Sequence, residues 1–88
     1  MTSTNTILTT NYSNFNFDFT SETYQTIKPN IHRLLQFFVR HNIKQPSLES
    51  CFQTSMTLFQ IKLNLETIKL ITYYTYYLTT NYSGILNQ

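Results

Sequence analysis

With 88 residues, one glycine, one cysteine and no alanine or tryptophan, the chain holds one small domain at most. It lacks the material of phosphate-cradling loops, nucleophile elbows and disulfide frameworks. Six Lys and Arg stand against four Asp and Glu, and charged residues make up 11% of the chain, against roughly 25% in an average soluble domain.

A net charge of +2 is too small to imply a nucleic-acid or membrane partner by itself. Thr, Asn, Gln, Ser and Tyr must cover the surface instead, and such surfaces desolvate readily, which favours association. Enrichment in Asn, Tyr, Ile, Phe and Thr is what AT-rich coding produces, and it is compatible with a virus, phage, organelle or AT-rich microbe.

Residues 1–19 read as an extended arm or edge strand. The Thr-rich start has no apolar face. From Asn14, however, Phe15, Phe17 and Phe19 alternate with Asn14, Asn16 and Asp18, the period-two pattern of a half-buried strand. The string LTTNYS occupies Leu8–Ser13 and recurs at Leu78–Ser83. Coincidence in biased sequence is the favoured reading, and equivalent contacts by the two copies is the alternative. Both copies contain a glycosylation sequon that is inert without export.

Residues 20–88 read as a single small helical domain. Thr20-Ser21-Glu22 offers an N-cap with an acid in the first turn. Tyr24, Ile27, Ile31, Leu34, Leu35 and Phe38 then recur at helical spacing. Pro29 falls opposite that stripe and predicts a short helical turn before it and a firm helix from Pro29 to His41. After a break at Asn42–Gln45, Pro46 suits the first position of a second helix whose apolar face is Leu48, Cys51, Phe52, Met56 and Phe59. Beyond Phe59 the signals conflict. Phe59, Ile61, Leu63 and Leu65 alternate like a strand, whereas Asn64 with Glu66 can cap a helix from Leu65 to about Thr80. The expected fold is mainly α, a small three-helix domain with an extended N-terminal arm or strand. The alternative is a winged-helix-like α+β domain with 57–66 and 68–80 as strands.

Three stretches carry functional signal. Ile68–Leu78, IKLITYYTYYL, is apolar or aromatic nearly all round as a helix, so it must be buried on most sides. Two other helices cannot easily surround it. Tyr73, Tyr74, Tyr76, Tyr77 and Leu78 are therefore the expected protein interface, toward a larger protein or a second copy. A wet aromatic core helix is the competing reading.

No acid lies between Glu22 and Glu49, while Lys28, Arg33, Arg40 and Lys44 do, with His32 and His41. Arg33, Phe37, Arg40 and Lys44 form one helical stripe that would suit nucleic acid or an acidic protein surface, although most such stripes are simply solvated. Third, His41–Phe52, HNIKQPSLESCF, resembles the turn and second-helix start of a helix-turn-helix. The resemblance implies that Ile43 and Leu48 are buried and that Gln45, Ser47 and Ser50 face a major groove, with Asn42 in place of the turn glycine at positive φ. Phe38 departs from the motif, which has a small residue where the helices approach.

Catalysis has little support. Cys51 sits on an apolar face, His32 and His41 project apart, and Asp18, Glu22, Glu49 and Glu66 are scattered. No metal site, cofactor or small-molecule substrate is indicated. There is no membrane span and no signal peptide, so the expectation is a soluble intracellular protein of a host cytoplasm or organelle. The sequence supports a small non-enzymatic protein-binding module. It would be a viral or phage accessory protein acting as inhibitor or adaptor, with a DNA-binding regulator or a structural subunit of a large assembly as alternatives.

Overall fold

A computed structural model describes residues 3–82 and 84–86. The described residues form four helices and no strand: α1 (Ser3–Ser13), α2 (Glu22–Arg40), α3 (Leu48–Phe59) and α4 (Leu65–Asn81). The fold is mainly α.

Three helices begin on the residue type that physics asks for. Ser21, Ser47 and Asn64 are N-caps whose side-chain oxygens accept from the backbone N–H of Tyr24, Ser50 and Thr67 at 3.0, 3.0 and 2.9 Å. Glu22, Glu49 and Glu66 follow in the first turns, where the helix dipole favours negative charge. Helix α2 ends in a Schellman motif. The Ile43 N–H bonds the Phe38 carbonyl at 2.9 Å and the Asn42 N–H bonds that of Val39 at 3.2 Å. Asn42 has φ 58°, the left-handed conformation expected of a residue standing where glycine is usual.

Pro29 does not divide α2, contrary to the two-piece expectation. Its missing N–H leaves the Gln25 carbonyl without a helical partner, but both residues are exposed, so water can serve instead. The buried stripe Tyr24, Ile27, Ile31, Leu34 and Phe38 holds both halves in one register. That burial outweighs the ~3 kcal/mol an internal proline costs. Pro46 lies just before the N-cap Ser47 rather than at the first helical position.

The strand alternative for 57–66 and 68–80 fails on the backbone. Helix α3 runs to Phe59, where Leu63 N–H bonds the Phe59 carbonyl at 2.8 Å and tightens the turn to α4. The alternating residues share no face: Phe59 is 3% exposed, while Ile61 is 92% and Leu65 49%.

The core lies where α2 and α3 both pack on α4, which is the common partner of both. Ile68, Ile71 and Tyr74 of α4 meet Ile27, Ile31, Leu34 and Phe38 of α2 and Cys51 and Phe59 of α3. Gly84, at φ 129°, turns the chain after α4 so that Leu86 enters the same core. Only glycine adopts that φ without strain.

The expected N-terminal arm is instead a helix and a linker that cover α4. Leu8 of α1 joins Leu48 and Tyr73 in a second buried cluster. The linker's Phe15, Phe17 and Phe19 are half-buried and its Asn14, Asn16 and Asp18 exposed, as the alternation predicted, but the partner is a helix and not a sheet. Both LTTNYS copies run through a helix C-terminus, and the carbonyls of Tyr12 and Tyr82 accept from Phe15 and Ile85 N–H at 3.1 and 3.0 Å. The side chains diverge, Tyr12 packing inward and Tyr82 standing 57% exposed; Ser83 lies outside the described residues.

A strand would satisfy its backbone from a neighbour; here one side chain does so. The Tyr74 hydroxyl donates to the Asp18 carbonyl at 3.1 Å and accepts from the Asp18 N–H at 3.3 Å. Tyr74→Phe keeps the ring and removes both bonds, and is expected to cost about 1–2 kcal/mol in urea unfolding. Thr75 poses the opposite case, since its hydroxyl is buried with no hydrogen-bond partner. The near-isosteric Thr75→Val should raise stability by about 1 kcal/mol in the same assay.

Candidate functional site

The tyrosine helix is less available than its sequence suggests. Tyr73 is 5% and Tyr74 3% exposed, whereas Tyr76, Tyr77 and Leu78 are half-buried. Every one of the four rings meets the N-terminal segment. Tyr74 lies 5.6, 5.4, 5.2 and 4.9 Å from Phe15, Phe17, Phe19 and Tyr24. Tyr77 lies 4.5 Å from Phe17, and Tyr73 and Tyr76 lie 6.2 and 5.0 Å from Tyr12. Cover that the two other helices were expected not to provide comes from within the chain, from α1 and the phenylalanine linker. Of the five expected interface residues, the structure places two in the interior and three at its rim.

The cations of α2 stand differently. Lys28, Arg33 and Arg40 are exposed on the helix, and Lys44 just beyond it. The predicted stripe divides between two sides. Arg33 holds its guanidinium over the Phe59 ring at 5.6 Å, and Phe37 stacks on His41 at 4.1 Å while packing on the core. Arg40 turns to the other side, where His32, Leu35, Gln36, Val39, Arg40 and Ile85 line an open groove of about 640 Å³. A smaller pocket, sharing Ile85, contains Lys44, Gln45 and Tyr82.

None of these cations forms a salt bridge among the described residues, where the ion pair is Lys69–Glu66 at 3.9 Å. The acids are engaged locally: three occupy helix first turns, and the Asp18 carboxylate accepts from the Thr20 hydroxyl at 2.6 Å and from its N–H at 2.9 Å. Those bonds hold the Asp18 carboxyl below the usual aspartate range. The groove was missed in the sequence because its floor joins the middle of the chain to its C-terminal end. Leu35 and Val39 flank the apolar stripe of α2, and only the Gly84 turn brings Ile85 beside them.

The helix-turn-helix positions are only partly arranged for DNA. Ile43 is half-buried and Leu48 buried, as the motif requires. Yet Ser47 caps α3, Ser50 is half-buried, Gln45 lies in the connection, and α2 and α3 pack on α4 more than on each other. The proposed reading helix, LESCFQTSMTLF, carries no cation and one acid. A helix of that charge repels phosphates.

Among the described residues no group of three His, Cys, Asp or Glu is arranged to hold a metal, and no helix is long and apolar enough to cross a membrane. Cys51 is wholly buried, and burial pushes its thiol from the ordinary 9.0 up to about 12. Tyr12, Tyr24 and Tyr73 are raised as well, by burial first and then by neighbouring Tyr76, Tyr74 and Glu66 respectively. The Tyr73 hydroxyl faces Asn11, which opposes the shift, but forms no hydrogen bond of ordinary geometry. Comparisons with protein-family models, with curated proteins and with solved structures find no match.

These shifts set a pH window. A folded-state value above the unfolded one means stability that is complete below the unfolded value and lost as pH rises through the folded one. For Cys51 the loss runs from 9.0 to about 12, and the three tyrosines add to it from 10.0 upward. Urea midpoints should therefore fall progressively above about pH 9. Ellman's reagent at pH 8 should label the native thiol slowly, and fast labelling in native buffer would contradict the buried placement.

Proposed function

We propose that this chain is a small non-enzymatic protein-binding module that docks on a larger protein through the exposed face of α2. The observation that carries this reading is the asymmetry of charge use. Acids are held at helix starts and in a turn, while Lys28, Arg33, Arg40 and Lys44 are exposed and have no salt bridge among the described residues. Arg40 also suits the last turn of α2, where the dipole favours a cation, but that does not occupy its guanidinium. On a surface with few charges elsewhere, these cations provide a field able to recruit a partner of opposite sign.

Docking is favoured over self-association through α4, because the tyrosine face is largely covered within the chain. A protein partner is favoured over DNA, because α3 presents no cation and Phe37 is stacked on His41 rather than offered to a base.

The isolated chain is expected to scatter light as a 10.5 kDa monomer at micromolar concentration. A benzophenone side chain introduced at exposed Gln36 should crosslink a protein in the native cell, with at least tenfold lower yield from exposed Thr57 on α3. Nucleic-acid adducts at Gln36, or equal yields at both positions, would overturn the reading.

A further inference from the structure

The groove beside α2 has features that select what enters it. Its floor is Leu35, Val39 and Ile85, each half-buried, so part of their apolar surface is still open to water. Its walls carry Arg40, His32 and Gln36, and Lys44 stands just past Ile85 in the adjoining pocket. No acid lines either cavity.

The lining residues of α2 fall at helical spacing, so the groove follows the helix axis. From His32 to Arg40 it runs about 12 Å at 1.5 Å per residue, the length of roughly two turns of a second helix. The described residues offer no strand edge for an extended peptide to extend, and an apolar floor running along a helix axis is the shape that helix-in-groove packing uses.

We propose that this groove is a docking slot for a short acidic amphipathic helix of a partner protein. Two or three bulky apolar residues of that helix would rest on Leu35, Val39 and Ile85. Its carboxylates would meet Arg40 on one side and Lys44 at the end. This rests on the binding reading above and names the partner chemistry for it.

The occupant is not a second copy of this chain, since its four helices carry no acid in α1 and one each in α2, α3 and α4. Nucleic acid fits less well, because three of the six lining side chains are aliphatic and the one ring among them is the His32 imidazole, too little for a run of stacked bases.

The test uses a fluorescein-labelled 14-residue peptide with Leu on one helical face and Glu on the remainder, read by fluorescence anisotropy against the full chain. Its controls are a scrambled peptide of the same composition and a Leu→Ser version. On the protein side, Arg40→Glu is compared with Lys62→Glu, which changes net charge equally at an exposed position outside the groove.

The amphipathic peptide is expected to bind at least tenfold more tightly than either control peptide. Arg40→Glu should weaken it at least tenfold, and Lys62→Glu no more than about twofold. Equal loss from both charge reversals would show a general charge effect and overturn the slot, as would equal binding of the scrambled peptide. Displacement of the peptide by a mixed-sequence 20-nucleotide DNA at equal concentration would overturn it in favour of nucleic acid. If the peptide fails while protein crosslinks at Gln36 persist, the acidic-helix assignment falls and the binding reading stands; absence of both removes both.

Discussion

Helix α4 is apolar or aromatic on almost every side, and the rest of the molecule is arranged around covering it. Helices α2 and α3 take two sides and α1 with the phenylalanine linker takes the remainder. Tyr74 is the point where these layers meet. Its ring contacts three linker phenylalanines and Tyr24 of α2, and its hydroxyl closes both backbone groups of Asp18. A linker without secondary structure has no ladder to hold it, so it stays only where its backbone and its side chains are both satisfied. One tyrosine meets both requirements at once, which phenylalanine could not do.

Composition shapes the packing as well. Helices approach closely where side chains are small, and a chain without alanine must use other small residues for the purpose. Helices α3 and α4, which pack on each other, bury Cys51 and Ser55 of the one and Thr72 and Thr75 of the other, all 0% exposed. Thr72 returns its hydroxyl to the Ile68 carbonyl at 2.8 Å, within its own helix. Ser55 and Thr75 find no partner. Each such hydroxyl costs about 1–3 kcal/mol of desolvation, which a methyl group would avoid. The domain therefore carries these two local penalties in its interior.

The helix boundaries were legible because they depend on local chemistry. Asn64 as a cap, Ser21 before Glu22, and Asn42 in the left-handed region are decided within four residues of chain. The phenylalanine alternation also told the truth about which side chains turn inward. It misled about the partner, since period two records a face and not whether a sheet or a helix lies against it. Helix α1 was missed because STNTILTTNYS has little apolar patterning of its own; its Leu8 becomes meaningful only beside Leu48 and Tyr73. The same gap shaped the reading of α4. With residues 1–19 set aside as an arm, little intramolecular cover remained in view, and an interface stood beside a wet aromatic core as the two readings. The basic stretch was legible as composition, but its division into an Arg33 side and an Arg40 side depends on where Phe59 and Ile85 lie in space.

Charge distribution connects this fold to the binding proposal. A chain with so few ionisable groups can place its acids by short-range structure, in helix first turns and a tight turn, and of these Glu66 alone meets a cation in an ion pair among the described residues, with Lys69 three residues on. Helix starts draw three glutamates to the N-termini of α2, α3 and α4, and the Thr20 turn draws Asp18. None of those positions lines the groove beside α2. Arg40 and His32 therefore line the groove with no acid beside them in its lining, over an apolar floor that only the completed fold assembles. In the binding proposal, the sparse charge of the remaining surface is what would let a few cations beside an apolar floor orient a complementary helix.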